Sequence, residues 1–207
     1  MKKLPEITMA FWIMKICATT LGETAGDLFS MTLNIGYALI SLILVGFFIV
    51  TLQLQLYATK YKPMLYWSVI LATSTAGTTM SDFMDRTLGL GYATGSLLLI
   101  TILIATFVAW KKTEKSVSVN DINTFRGETF YWIAILFSNT LGTALGDFLA
   151  DNSGLGFLGG ALLIGSLLLL LILAHYFLKV SEVLLMAETL ELHETHKNLD
   201  KKKHYLK

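Results

Sequence analysis

Charge is what this sequence has least of. Only 15% of its 207 residues are Asp, Glu, Lys or Arg, against roughly a quarter in soluble domains. The scarcity is uneven: Leu28 to Thr59, Thr87 to Trp110 and Asn152 to Leu178 contain no such residue. A bilayer core about 30 Å thick needs about 20 residues of helix, so each run is long enough to span one. That pattern excludes an ordinary water-soluble domain and points to an integral membrane protein, in keeping with a mean hydropathy of +0.62. Cysteine is nearly absent too. Cys17 stands alone, which excludes an intrachain disulfide and leaves the redox compartment unassigned. There is no Gly-rich phosphate loop, Gly-x-Ser-x-Gly elbow or His-Glu-x-x-His pair, so no enzyme and no catalytic residue is expected. The net charge of +1 singles out no partner. The lipid bilayer is the expected one, a homo-oligomer is open, and nucleic acid is not expected.

What the chain does have is an internal repeat. Leu21-Gly22-Glu23-Thr24-Ala25-Gly26-Asp27 returns as Ala76-Gly77-Thr78-Thr79-Met80-Ser81-Asp82 and as Leu141-Gly142-Thr143-Ala144-Leu145-Gly146-Asp147. An aromatic-Trp pair lies upstream of each: Phe11-Trp12, Tyr66-Trp67 and Tyr131-Trp132. The Trp-to-Gly interval is ten residues in every copy. Downstream come Ile35-Gly36-Tyr37, Leu90-Gly91-Tyr92 and Leu155-Gly156-Phe157. Agreement at fixed spacing establishes three copies of one unit.

Each unit reads as two helices, one ending near the Asp and a smoother apolar one after a short turn. The expected fold class is an all-α membrane protein with six transmembrane helices from three parallel two-helix repeats. The spans are about 8–29, 37–58, 64–84, 91–110, 129–149 and 157–179. The units are 1–62, 63–117 and 118–180, with a charged tail over 181–207. Lys111 to Glu128 is the only long polar connection and is expected to be a loop. Lys2, Lys3, Lys60, Lys62, Lys111, Lys112, Lys115, Arg126 and Lys179 fall on one side and only Arg86 on the other. The positive-inside rule makes the first side cytoplasmic, with both termini inside. Two helices per repeat give all three the same orientation. Met1-Lys2-Lys3 resembles the start of a signal peptide, but Lys15 and the first repeat motif follow without a cleavage site, so a retained helix is expected. Lys201-Lys202-Lys203 at the tail would suit a solvated helix end or anionic headgroups.

Asp27, Asp82 and Asp147 hold the same repeat position, and the topology puts them at one depth. Glu23, Asp85 and Asp151 lie three or four residues away from them, hence on the same helix face if the helices continue. An ionised carboxylate in hydrocarbon costs several kcal/mol unless it meets a partner, water or a cation. Glu23, Asp27, Asp82 and Asp147 are therefore candidate cation ligands, and Asp85 and Asp151 a candidate vestibule. Lys15 and Arg86 are candidate ion-pair partners. No cofactor is expected beyond a divalent cation held by that acidic set. The competing reading makes the aspartates caps of helix ends that bind nothing.

Gly22/Gly26, Gly77/Ser81 and Gly142/Gly146 form small-xxx-small stripes, which let helix backbones approach closely in lipid. Trp12, Trp67 and Trp132 are expected to be interfacial anchors near the cytoplasmic ends of their helices. His175 reads as a packing residue. His193 and His196 with Glu194 make a poor zinc signature. Intramembrane aspartyl hydrolysis is disfavoured, because none of the three Asp motifs has the Gly-x-Gly-Asp pattern it uses.

The aromatic-Trp pairs, the ten-residue spacing, Leu21-Gly22-Glu23-Thr24 and Phe130-Tyr131-Trp132-Ile133-Ala134-Ile135-Leu136-Phe137 resemble a bacterial membrane family. It is built from the two-helix repeat known as domain of unknown function 347. The resemblance covers roughly residues 5–180 and implies a multispanning protein of the cytoplasmic (inner) membrane. It supplies no catalytic residues. Members often carry four repeats where three are present here, so either three close on themselves or another subunit completes the assembly. The leading functional expectation is a small cation transporter or channel, with a divalent metal or the proton as passenger. The alternative is a non-transporting scaffold or partner of an envelope or stress complex.

Overall fold

The computed structural model describes residues 5, 8–33, 36–114, 116–117, 122, 124–174 and 177. His175 and the tail over 181–207, with its His pair and lysine run, lie outside the described residues. Among the described residues the secondary structure is helical throughout, with no strand. Six helices follow in order: α1 Met9–Asp27, α2 Tyr37–Tyr57, α3 Pro63–Asp82, α4 Tyr92–Glu114 and α5 Phe125–Asp147, then α6 Gly156–Ala174. The chain divides between Gly154 and Leu155 into two compact units, α1–α5 in the first and α6 in the second.

Local chemistry sets the helix starts. Thr8 caps α1, its hydroxyl accepting from the Phe11 amide at 3.2 Å. Thr124 caps α5, accepting from the Gly127 amide at 2.9 Å. Such caps satisfy amides that have no partner inside the helix. α3 opens on Pro63, whose fixed φ suits a first turn and whose missing N–H is no loss there. The connection between α4 and α5 is shorter than the sequence suggests. Helix continues to Glu114 and resumes at Phe125, so Glu128 belongs to a helix and not to a loop.

The helix ends repeat as faithfully as the motifs. α1, α3 and α5 each stop as α-helix at the repeat aspartate and run on for one π-helical turn: Leu28–Thr32, Phe83–Thr87 and Phe148–Asn152. The wider turn closes with amides of Leu33, Leu88 and Ser153 bonding carbonyls five residues back, at 2.9, 2.9 and 3.0 Å. The second helix of each repeat then starts at the repeat glycine, and Gly36, Gly91 and Gly156 have φ of +91°, +74° and +67°. That left-handed region is open to glycine and strained for other residues.

Among the described residues, four of the six helices are long and apolar enough to cross a membrane: Tyr37–Tyr57, Tyr92–Glu114, Phe125–Asn152 and Gly156–Ala174. α1 and α3 are not among them, which narrows the expectation of six spans. Lys15, Glu23 and Asp27 lower the hydropathy of α1. Thr73, Ser74, Thr75, Thr78, Thr79 and Ser81 lower that of α3, and all six are buried. α3 occupies the middle of its unit, with α1 and α5 packed against it. Its hydroxyls satisfy themselves on the preceding turn, as in Thr75 to Leu71 O at 2.9 Å, or accept interhelical bonds such as that from Asn139 Nδ2 to Thr73 Oγ1 at 3.2 Å. An interhelical bond of this kind is worth roughly 1 kcal/mol in a membrane protein. The core joins Tyr66, Val69, Ile70, Ala72 and Ala76 of α3 to Phe48 and Leu56 of α2 and to Trp132 and Leu136 of α5. The second helix of a repeat packs on the first helix of the following repeat, α2 on α3 and α4 on α5.

Candidate functional site

The site begins with Asp82, the last α-helical residue of α3, which is only 1% exposed. The π-helical turn after it carries Arg86 back over its carboxylate, with Nε 3.0 Å from Asp82 Oδ1. Arg86 Nη2 reaches Asp147 Oδ2 at 3.4 Å and donates to it. One guanidinium therefore joins the repeat aspartates of α3 and α5. Its remaining nitrogen, Nη1, donates to the Tyr37 hydroxyl at 3.4 Å. The guanidinium carbon lies 5.9 Å from the ring centroids of both Tyr37 and Tyr92, within cation–π range. These tyrosines are the repeat residues of the Gly-Tyr motifs, delivered by the first turns of α2 and α4. The sequence marked them only as punctuation. The third copy has Phe157, with the ring and no hydroxyl.

Asp85 departs from its expected place. It is 6% exposed and so lines no open vestibule. Ser81 Oγ donates to its Oδ2 at 3.3 Å. Its Oδ1 lies against Gly95 of α4, where any Cβ would collide with that oxygen. Within the π-helical turn Asp85 thus lies inward, against α4. Asp151 is exposed. On α1, Asp27 is half-buried and Glu23 exposed, and among the described residues neither forms an ion pair. Lys15 is half-buried and likewise pairs with no carboxylate among them. The aspartates do not cap their π-helical turns, since Asp27, Asp82 and Asp147 make no side-chain cap bond.

Among the described residues no group of three His, Cys, Asp or Glu side chains is placed to hold a metal ion. The acids that converge do so on an arginine, which supplies the positive charge a cation would otherwise bring. Asp82 Oδ2 is buried with no hydrogen-bond partner among the described residues, an expensive state for a charged oxygen. A further buried carboxylate, missed from the sequence because it seemed to lie in a loop, is Glu128. It is 2% exposed, and Gln55 Nε2 donates to its Oε1 at 3.3 Å.

The small-residue stripes behave unequally. A Cβ on Gly22 would come 2.5 Å from Ser74 Cβ, and one on Gly77 would come 3.0 Å from Asn139 Cβ. Gly26 lies against Thr75 and Thr78 of α3, and Ser81 is buried. Among the described residues nothing lies within 4 Å of a Cβ at Gly142 or Gly146. The tryptophans also differ. Trp12 is 54% exposed, Trp67 half-buried and Trp132 0% exposed. Trp132 is thus a core residue and not an interfacial anchor, because α5 turns it against Tyr66 of α3, centroids 5.4 Å apart. Trp67 meets Phe11 of α1 in the same way at 5.7 Å.

A helical repeat protein of membrane type, with a shared charge site where its repeats meet, is the class these features define. The family model described as Repeat of Unknown Function (DUF347) matches residues 10–61, 65–116 and 130–181, and the chain belongs to that family. No curated protein and no solved structure matches the chain.

Proposed function

We propose that this is a six-span protein of the bacterial inner membrane that moves a small cation past the Asp82–Arg86–Asp147 group, with the proton as the favoured passenger. One observation carries the reading: a single guanidinium bridges carboxylates of two repeats on two helices. Protonating either carboxylate weakens its hold on Arg86, so proton uptake and rearrangement of the pair are linked. Convergence on arginine instead of a third ligand favours the proton over a divalent metal. Glu23 and Asp27 on α1 would extend the route. In this reading α1 and α3 also cross the membrane, α3 inside the bundle, where its buried hydroxyls find partners. Lys60, Lys62, Lys111, Lys112 and Arg126 lie where α2 passes to α3 and α4 to α5, which supports a cytoplasmic placement of that end and of both termini.

The test is flux in proteoliposomes carrying a pH-sensitive dye. The wild-type chain is expected to dissipate an imposed pH gradient, and Asp82→Asn and Asp147→Asn to remove most of that flux. Equal flux in wild type and both variants would overturn the reading. A second reading, a membrane scaffold, draws on the same arginine. A fully enclosed Asp82 clamped by Arg86 is also what a static helix tie requires. It predicts no flux in any variant, and loss of partner recruitment when 181–207 is deleted.

A further inference from the structure

We infer that the open face of α5 docks α1 of a second copy of this chain, repeating between subunits the contact that α1 makes with α3 and α3 with α5. The inference is independent of any passenger. It starts from two contacts within the chain that are the same contact. Offsets of 55 and then 65 residues relate the repeats (Trp12 to Trp67 to Trp132). Phe11 against Trp67 becomes Tyr66 against Trp132 under that shift. Gly22 against Ser74 becomes Gly77 against Asn139. Each first helix thus offers a face of aromatic, small and glycine residues, and the next helix answers with Trp and a short polar side chain.

Applied once more, the rule gives α5 an offering face of Tyr131, Ser138, Gly142 and Gly146, and gives α1 an answering face of Trp12, Thr19, Thr20 and Glu23. Both ends are open. Gly22 and Gly77 are buried while Gly142 is exposed; Trp132 is buried and Trp67 half-buried while Trp12 is exposed. α1 and α5 each pack on α3 and have no comparable packing with one another.

A cavity marks the expected seat of the indole. Phe107 and Trp110 of α4 with Tyr131, Ala134, Ile135 and Ser138 of α5 line a largely apolar pocket of about 240 Å³. Its α5 residues are the counterparts of Tyr66, Val69, Ile70 and Thr73, which are at most 1% exposed in α3. Tyr66, Val69 and Ile70 share the core cluster with Trp132. The same wall that encloses Trp132 in the second repeat stands empty of it in the third, and Trp12 of another copy is the side chain the rule supplies. Parallel repeats give neighbouring copies one orientation in the membrane, so both faces are available at the same depth. The contact is head-to-tail and uses different surfaces on the two copies.

Two tagged chains, both carrying Cys17→Ser, test this when co-expressed, one with Glu23→Cys and the other with Thr143→Cys. These positions are the intersubunit counterpart of Thr78 and Thr143, whose hydroxyls are 3.3 Å apart. Oxidation in native membranes is expected to give a mixed disulfide, and to give none when Leu42→Cys replaces Glu23→Cys. No mixed disulfide would overturn the proposal. Self-association is then read by energy transfer on dilution in liposomes. Trp12→Ala and Gly142→Leu are each expected to weaken it roughly tenfold or more, as for a packed aromatic anchor. Both should melt like wild type as isolated protomers, because Trp12 is 54% exposed and nothing among the described residues lies within 4 Å of a Cβ at Gly142. Unchanged association in both variants would equally overturn it.

Discussion

At the scale of single residues, Arg86 is the centre of the molecule's polar chemistry. Removing it leaves Asp82 buried at 1% exposure with no opposing charge. Arg86→Met is expected to cost about 2–4 kcal/mol, less than for a fully buried pair because the guanidinium keeps a solvent-facing edge. Thermal melting in detergent checks this, and Arg86→Met with Asp82→Asn should recover part of the loss. An equal loss in single and double variants would show that packing and not charge is at stake. Gly95 gives a second case. Gly95→Ala puts a methyl group on Asp85 Oδ1 and should destabilise by about 1–3 kcal/mol, in the range of overpacked sites. The aspartates were legible in the sequence, because charge within apolar segments stands out. The tyrosines around Arg86 were not, because a Gly-Tyr pair at a helix start carries no sign of what the ring will face.

At the scale of elements, the π-helical turns decide where the acids go. In the π-helical turn after α3, Asp85 lies against Gly95 and Arg86 reaches both Asp82 and Asp147 of α5. Such turns are rare and cluster at functional sites, and here all three repeats have one at the same place. Sequence spacing did not reveal them, since α and π continuations have the same composition. The glycines after them were visible as a motif, and their positive φ supplies the reason. Gly91→Ala is expected to cost about 1–2 kcal/mol from left-handed strain alone, read as a lowered Tm. Gly46→Ala, inside α2 with open space at its Cβ, should leave stability unchanged or raise it. A lower Tm for Gly46→Ala would argue against this account.

At the scale of the whole molecule, the repeat does not serve its three copies equally. α3 is enclosed from both sides, while α1 and α5 each keep one face uncovered. Trp132→Ala should therefore cost about 3–5 kcal/mol, as for a large core deletion. Trp12→Ala should fall within about 0.5 kcal/mol of wild type in an isolated protomer. Comparing their melting curves in detergent at high dilution tests the asymmetry, and similar losses would contradict it. The same asymmetry places Gly22 and Gly77 against the next helix, while among the described residues nothing lies within 4 Å of a Cβ at Gly142. Identical residues give different burial when the neighbouring helix is different.

The sequence alone determined the helical class, the membrane-type hydropathy, the threefold repeat and the family, because these depend on composition and period along one chain. It also marked the three repeat aspartates, since each is a charge beside an apolar segment. Only the tertiary structure decided which of them meet. The arginine that joins Asp82 to Asp147, the inward turn of Asp85 and the burial of Trp132 depend on how far each helix end rotates and which helix stands beside it. Those are properties of packed neighbours, and spacing within one segment does not encode them.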